Sequence, residues 1–311
     1  MSTLELTSPT KVKTRAAAFS ILSNSALIAL KFAAGLITGS IAIITDAVQS
    51  SIDLVASVVT YFSVRKADQP ADDDHRYGHA KVENLAAAIE GMLILVGGAV
   101  VIYEAAQRLT DPAKVENLPV GIAVIAASGV ANGLVSTYLY RRAAETDSPA
   151  LAGDATHLRT DAWLSLGVLV ALVLVQVTGI EEIDAIAALL LALAILWAGV
   201  RLVRSSSRIL VDESLPREEL EAVREAVEGH GAREIAGFHK LRTRRAGSRR
   251  YIDMHVQFRS GTSLDRAHEV SHELQRQIGQ RIRDADVLIH LEPDRGGEGG
   301  RPSRPGLPTG D

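Results

Sequence analysis

The chain of 311 residues contains no cysteine and only 4% aromatic residues. Without thiols it can form neither a disulfide nor a thiolate metal site, so any metal site must use His, Asp, Glu, Gln or Asn. The chain also lacks an excess of positive charge, because 33 basic residues face 37 acidic ones and the net charge is -4. Nucleic-acid-binding domains are usually basic, so nucleic acid is not an expected partner.

Long apolar runs, by contrast, dominate the chain before about residue 205. Hydrophobic residues make up 47% of the sequence, and the mean hydropathy is +0.14. A membrane-spanning helix needs about 20 mostly apolar residues. Six stretches, of which the fifth is the shortest, predict a bundle of six transmembrane helices: Ala16–Ile37, Ile41–Val64, Leu85–Gln107, Val120–Tyr140, Ala162–Val177 and Ile183–Val203.

The charges of the predicted loops differ between the two sides of this bundle. One set of loops is rich in Lys and Arg, whereas the opposite set is uncharged, mixed or acidic. Cytoplasmic loops of membrane proteins carry an excess of Lys and Arg. We therefore expect a multi-pass protein of the cell (inner) membrane, in contact with the lipid bilayer, with both termini in the cytoplasm.

The sequence after the last apolar run predicts a small α/β domain. Helices are expected over Pro216–Glu228 and from Ser263 to about Arg283. Strands are expected over His239–Thr243, Arg250–Phe258 and Val287–Leu291. The predicted division is residues 1–208 for the transmembrane domain, 209–294 for the cytoplasmic domain and 295–311 for a Gly/Pro-rich, disordered tail.

Polar side chains within the second and fifth predicted spans form the first candidate metal site. A carboxylate at membrane depth is costly unless it is paired or solvated. Gln49 and Asp53 lie one turn apart in the second span, and His157 and Asp161 are spaced in the same way at the start of the fifth. These two pairs could supply the four ligands that zinc-like cations prefer. Alternatively, they only hydrogen-bond helices together.

Two further groups of ligand-type residues lie outside the spans. The loop after the second span contains Asp72, His75 and His79, which could bind a metal or simply form a solvated acidic turn. The α/β domain contains six of the nine histidines, one of them on each predicted strand. Three strand histidines, with a carboxylate two residues beyond the last, suggest convergent ligands. These residues are His239, His255, His290 and Glu292.

Together, these motifs resemble the cation diffusion facilitator family of metal/proton antiporters. The resemblance rests on QxxxD in the second span, HxxxD in the fifth, the loop PADDDHRYGHAK, the turn LRTRRAG and the strand IHLEP, and it extends from about Thr14 to Pro293. It implies a homodimer with a metallochaperone-like, ferredoxin-like cytoplasmic domain. The implied transport site is Gln49, Asp53, His157 and Asp161; the loop site is Asp72, His75 and His79; the cytoplasmic site is His239, His255, His268, His290 and Glu292, with His268 bridging two metal ions.

The resemblance implies a secondary transporter and not an enzyme, and no HExxH motif is present. We expect proton-coupled efflux of divalent metal ions, Zn(II) first and then Fe(II), Co(II) or Mn(II), with no prosthetic group. Two positions depart from the family pattern, because Gln49 stands where Asp or His is usual and Glu292 where Asp is usual. A membrane metal sensor or scaffold without transport is the alternative, since a weak ligand at Gln49 could abolish transport.

Overall fold

A computed structural model describes residues 9–38, 41–110, 118–178, 182–230 and 233–294 of the chain. The side chains of a few residues near helix ends, and of some in the second helix, also lie outside this description. The predicted tail, 295–311, is among the residues not described. By its internal contacts, the chain divides into two compact units, Met1–Arg208 and Ile209–Asp311.

The first unit consists of helices in the residues that the structure describes. Each helix contains 27 to 30 residues. At 1.5 Å per residue, such helices exceed the roughly 30 Å hydrocarbon core of a bilayer. Their bounds are α1 Pro9–Thr38, α2 Ile41–Ala67, α3 Lys81–Thr110, α4 Leu118–Thr146, α5 Pro149–Thr178 and α6 Glu182–Leu210.

Four of these helices are apolar enough over their described residues to cross a membrane. The spans are Pro9–Ile37, Lys81–Gln107, Val120–Thr146 and Ile186–Leu210, in α1, α3, α4 and α6. The chain is therefore a membrane protein, although only four of the six predicted spans meet this criterion. The other two predicted spans form helices of the same length, α2 and α5. These are also the helices that contain the polar candidate ligands.

Helix α5 begins earlier than its apolar residues indicate. Asp147 adopts a positive φ of 51°, which ends α4. Ser148 then caps the new helix, because its Oγ accepts a hydrogen bond from the backbone N–H of Leu151 at 3.4 Å. The predicted fifth span, Ala162–Val177, is thus only the second half of α5. The polar residues between 149 and 161 belong to the same helix, and several of them are buried.

Small residues allow close packing between α3 and α6. A Cβ atom added at Gly91 would lie 2.7 Å from Cγ2 of Val203, and one added at Gly199 would lie 2.9 Å from Cδ2 of Leu95. Elsewhere in the bundle, Leu139 of α4 belongs to one buried cluster with Leu151 and Leu158 of α5. Larger residues at these two glycines would push the helices apart.

The second unit is an α/β domain with the predicted elements in the predicted order. Its elements are α7 Arg217–Glu228, β1 Ile235–Ala246, β2 Arg249–Phe258, α8 Leu264–Arg281 and β3 Ala285–Pro293. All three strands are longer at one or both ends than the sequence predicted. Gly247, with a φ of 56°, occupies the β1–β2 turn, and Ser263 caps α8 by accepting from the N–H of Arg266.

The sheet order is β1-β2-β3, with β1 and β2 antiparallel and β2 and β3 parallel. Helix α8 provides the crossover that a parallel pair requires. Among the described residues no strand precedes α7, so the sheet has three strands. The predicted ferredoxin-like arrangement is therefore present without its first strand. The helices pack on one face through a core that includes Ile252, Met254, Val270 and Leu274.

Candidate metal sites

The first cluster lies within the helical unit, where α2 meets α5. His157 Nε2 is 3.3 Å from Asp53 Oδ1 and 3.8 Å from Asp161 Oδ2. His157 and Asp161 share one face of α5 because they are four residues apart, and Asp53 approaches from α2. One ligand atom from each residue lies within 4.8 Å of the others. The structure therefore brings three of the four predicted ligands together.

The imidazole of His157 is only 5% exposed, and neither ring nitrogen has a well-aligned hydrogen bond among the described residues. A buried polar atom without a partner costs about 1–3 kcal/mol. A cation bound by Nε2 and the two carboxylates would satisfy one of these atoms and neutralise the acids. Two carboxylate oxygens and one imidazole suit a divalent d-block cation. The donor set thus fits a metal ion.

The fourth predicted member, Gln49, cannot be placed in this cluster. Its backbone belongs to α2, but its side chain lies outside the described part of the structure. The side chain of Asp46, three residues earlier, also lies outside the described part. The described part of the cluster therefore has three ligands.

Two further carboxylates, which were not among the predicted ligands, are buried close to this cluster. Asp154 of α5 and Glu90 of α3 are both 0% exposed. Ser57 Oγ donates to Asp154 Oδ1 at 3.0 Å, and Thr60 Oγ1 donates to Glu90 Oε1 at 2.9 Å. Asn24 of α1 in turn donates to Ser57 Oγ at 2.9 Å. These hydrogen bonds connect α2 with α1, α3 and α5.

An ion pair at one end of the bundle was also missed. Lys13 Nζ of α1 donates to Glu83 Oε1 of α3 at 2.7 Å and lies 3.5 Å from Asp68 Oδ1. The hydroxyl of Ser148 donates to the second oxygen of Glu83. Lys13 and Glu83 are almost fully buried. The only signal in the sequence was that basic and acidic residues flank the apolar runs, which is common to most membrane proteins.

The loop between α2 and α3 forms the second cluster. The backbone N–H of His75 donates to Asp72 Oδ1 at 2.7 Å, and His75 Nδ1 is 3.2 Å from the same oxygen. His79 Nε2 lies 3.1 Å from Asp72 Oδ2, although His79 is only 4% exposed. The backbone hydrogen bond from His75 is the main cause that lowers the pKa of Asp72. The three predicted residues are therefore brought together.

The third cluster crosses the sheet of the second unit. His239 is paired with His255 in the β1–β2 register, and His255 with His290 in the β2–β3 register, so the three imidazoles form a row. Glu292 lies on the same face as His290, two residues along β3. Its Oε2 is 2.8 Å from His239 Nε2, and its Oε1 is 2.6 Å from His255 Nδ1.

His290 lies farther from Glu292 than the other two histidines do. Its Nε2 is 3.8 Å from Glu292 Oε1, and its ring centroid is 4.6 Å from that of His255. The hydrogen bond from His255 is the main cause that lowers the pKa of Glu292, and the bond from His239 adds to it. Two imidazoles and one ionised carboxylate provide a donor set that fits a divalent metal.

The last predicted ligand of this domain, His268, is placed differently. It lies on α8 outside the compact group formed by His239, His255 and Glu292. Its Nε2 is 3.0 Å from Nε2 of His272, one turn further along the helix. Among the described residues, His268 therefore does not converge with the strand histidines.

Models of known protein families match this chain in two consecutive blocks. Residues 17–211 match the cation efflux transmembrane domain, and residues 215–294 match the cytoplasmic domain of cation efflux proteins. The chain belongs to the cation efflux, or cation diffusion facilitator, family. Members of this family are transporters and not enzymes, and their substrates are metal cations, so the family predicted from the motifs is confirmed.

Individual relatives cover nearly the same length. The uncharacterized transporter sll1263 of Synechocystis is 36% identical over 281 residues, which is 88% of this chain and 89% of that protein. The cation-efflux pump FieF of Serratia proteamaculans is 32% identical over 282 residues, which is 91% of this chain and 93% of that protein. A solved structure of CzrB in its zinc form is 36% identical and covers 29% of this chain and 99% of that chain, with a TM-score of 0.27.

Proposed function

We propose that this cation efflux protein exports divalent d-block metal ions from the cytoplasm in exchange for protons. The observation that carries the proposal is the cluster of Asp53, His157 and Asp161, which joins two helices inside the membrane unit. Carboxylates are expensive at membrane depth, so two of them beside a buried imidazole require a function that outweighs this cost. Transient binding of a cation provides such a function.

Proton coupling follows from the chemistry of these ligands. A carboxylate binds metal only when it is deprotonated, and an imidazole only when it is neutral. Protons and metal ions therefore compete for the same oxygen and nitrogen atoms. A metal that binds from the cytoplasm would be released on the other side when protons occupy Asp53, His157 and Asp161. The protons would then be carried inward as the bundle returns.

Zn(II) is the metal we propose first, followed by Fe(II), Co(II) and Mn(II). Imidazole favours Zn(II) over hard cations such as Mg(II), whereas the carboxylates also accept Fe(II) and Mn(II). Gln49 would complete the site as a neutral oxygen ligand one turn before Asp53. A neutral amide oxygen is a harder and weaker ligand than imidazole, which would moderate the preference for Zn(II).

The proposed architecture follows from the loop charges and the family match. Six helices, α1 to α6, would span the inner membrane with both termini in the cytoplasm, residues 1–208 would form the membrane domain, and 209–294 the cytoplasmic one. The protein would act as a homodimer, and the family model that matches residues 215–294, named ZT_dimer, supports this assembly. His239, His255, His290 and Glu292 would bind metal in the cytoplasmic domain, and Asp72, His75 and His79 in the loop.

The test is transport by the purified full-length protein in sealed vesicles that contain a pH-sensitive dye. An imposed Zn(II) gradient should move Zn(II) across the membrane and drive protons in the opposite direction. Metal flux without proton flux would indicate a passive pathway. Metal binding without any flux would indicate a sensor or scaffold and would contradict the proposal.

A further inference from the structure

A groove, which we call the α4–α5 groove, runs along the surface of the helical unit where α4 packs against α5. Its volume is about 390 Å³, which lies within the range of roughly 300–1,000 Å³ that is typical of ligand sites. Large apolar side chains line it and remain exposed, since Val130 is 64% exposed, Trp163 57% and Leu166 49%. Because α4 is apolar enough to cross a membrane, the medium that meets this groove is lipid.

The α4–α5 groove is polar at one end and mostly apolar along the rest of its length. Thr137 pairs with Arg159 at the polar end, and the antiparallel packing of the helices places Ala126 and Leu169 at the other end. Eleven steps of about 1.5 Å separate Ala126 from Thr137 along α4, which is roughly 16 Å. One leaflet of a bilayer contributes about half of the roughly 30 Å hydrocarbon core. The groove therefore has the length and the polarity of a phospholipid in one leaflet.

The charge at the polar end has no carboxylate partner among the described residues. Arg159 Nη2 donates to Thr137 Oγ1 at 3.2 Å, and its Cζ lies 4.5 Å from the ring centroid of Tyr140. Arg142, which also lies over a tyrosine ring, differs because its Nη1 donates to Glu145 Oε2 at 2.6 Å. A charged side chain beside the hydrocarbon core is costly unless it is paired. Arg159 therefore favours an anion from outside the described protein.

The guanidinium group of Arg159 lies near the level at which lipid phosphates are expected. Tyr140, on which it stacks, is the last residue of the predicted fourth span, and Arg141 and Arg142 follow directly in α4. Arginine side chains close to the end of a span extend toward the interface with water. In the architecture proposed above, this interface is that of the cytoplasmic leaflet, in which anionic lipids attract basic residues.

We propose that the α4–α5 groove binds one anionic phospholipid, such as phosphatidylglycerol, with its phosphate on Arg159. Guanidinium nitrogens match the geometry of phosphate oxygens, and one acyl chain would lie along the apolar part of the groove. The inference rests on α5 lying in the membrane beside α4, as in the proposed six-span architecture. It does not depend on metal transport, so a protein that fails to transport Zn(II) would still bind the lipid.

The test uses tryptophan fluorescence, because the chain contains two tryptophans and one of them lines the groove. Trp197→Phe leaves Trp163 as the single reporter in the full-length protein. This protein is placed in phosphatidylcholine vesicles that contain increasing fractions of acyl-brominated phosphatidylglycerol or acyl-brominated phosphatidylcholine. Bromine quenches a tryptophan that it contacts. The lipid fraction for half-maximal quenching should be about fivefold lower for phosphatidylglycerol, as expected for one basic residue at a lipid surface.

Two charge variants in this background test the role of Arg159. Arg159→Gln should make the two half-quenching fractions equal. The control combines Arg142→Gln with Glu145→Gln, which removes a neutral ion pair from the same end of α4 and should keep the fivefold preference. Inorganic phosphate, compared with chloride at equal ionic strength, should also leave the preference unchanged.

A third variant fills the α4–α5 groove without changing any charge, and it decides the question if Arg159→Gln fails to fold. A Cβ atom at Gly133 would lie 3.8 Å from Cβ of Ala162, an ordinary contact, so Gly133→Leu can extend into the groove. This variant should also make the two fractions equal. Gly121→Leu is the control on the same helix, because a Cβ atom at Gly121 would meet no other atom within 4 Å.

Four results would overturn the proposal. The first is equal quenching by the two lipids before any change in the groove. The second is an undiminished preference in folded Arg159→Gln or in Gly133→Leu. The third is loss of the preference in inorganic phosphate, which would mean that Arg159 binds free phosphate. The fourth is no quenching by either lipid, which would mean that a second copy of the chain covers the groove.

Discussion

Nε2 of His157 on α5 lies 3.3 Å from Oδ1 of Asp53 on α2, so two helices share one ligand cluster inside the membrane unit. A relative movement of α2 and α5 would change the distances among these ligands. Alternating exposure of a site requires such a movement, because metal must be held firmly in one state and released in another. Site geometry and helix packing are therefore expected to change together.

The first prediction separates a ligand role of His157 from a packing role. His157→Ala should reduce Zn(II) uptake to background while leaving most of the protein folded, since the imidazole makes no well-aligned hydrogen bond that would be lost. Uptake into vesicles and thermal unfolding in detergent are measured on the same preparation. The neighbouring Leu158→Ala is the control for lost packing. It removes a buried apolar side chain, which lowers the stability by about 2–5 kcal/mol, and it leaves the candidate ligands in place. Normal uptake per folded molecule by His157→Ala would exclude the ligand role.

The second prediction concerns the hydrogen bonds around Asp154. Ser57→Ala should destabilise the bundle by about 1–3 kcal/mol, because it removes the donor to Asp154 Oδ1 and the acceptor of Asn24. Ser51→Ala is a matched change in the same helix, where the hydroxyl of Ser51 donates to the carbonyl of Ala47. Thermal unfolding in detergent compares the two. Equal melting temperatures would mean that the buried hydrogen bonds of Ser57 contribute little to the stability of the bundle.

The third prediction follows from the lowered pKa of Glu292. Since the folded-state pKa lies below the usual 4.5, the ionised carboxylate stabilises the domain above that pH, and the stabilisation is lost as pH falls through the lowered value. Glu292→Gln should therefore reduce the acid sensitivity of the metal-free domain. The acid sensitivity is measured in the full-length protein by amide hydrogen exchange in β2 and β3, corrected for intrinsic exchange rates. The exposed Glu228→Gln should behave like the wild type. If Glu292→Gln is as sensitive to acid as the wild type, the ionised Glu292 does not stabilise the domain.

The fourth prediction is topological. Reporter fusions after Thr110 and after Asp294 should lie on opposite sides of the membrane, because an odd number of spans, α4 to α6, separates them. The fusion after Asp294 should be cytoplasmic. Since α2 and α5 do not meet the criterion for an apolar span over their described residues, this experiment decides whether α5 crosses the membrane. Fusions on the same side would rule out six spans.

Residue spacing predicted the parts of the candidate sites that lie on regular elements. His157 and Asp161 are one helical turn apart. His239, His255 and His290 each lie on a predicted strand, and the pairing of the strands brings the three residues side by side. The apolar stretch predicted for the fifth span, Ala162–Val177, covers only the second half of α5, because hydropathy does not report polar residues that face other helices.

The hydrogen bonds between helices could not be predicted in the same way. Ser57, Thr60 and Asn24 are small polar residues within apolar runs, and such residues are common in membrane helices. Their partners Asp154 and Glu90 come from distant parts of the chain, and only the packed bundle brings them together. Side-chain partners at this separation have no periodic signal in the sequence.

The most direct measurement is the initial rate of Zn(II) uptake into vesicles by Asp53→Asn and Asp161→Asn. Each change keeps the size of the side chain and removes one anionic ligand, so each should reduce uptake to the rate of protein-free vesicles. Glu145→Gln removes an exposed carboxylate that pairs with Arg142 at the end of α4, outside the cluster, and this variant should transport normally. If Asp53→Asn and Asp161→Asn both transport Zn(II) at the wild-type rate, the cation does not pass through this cluster.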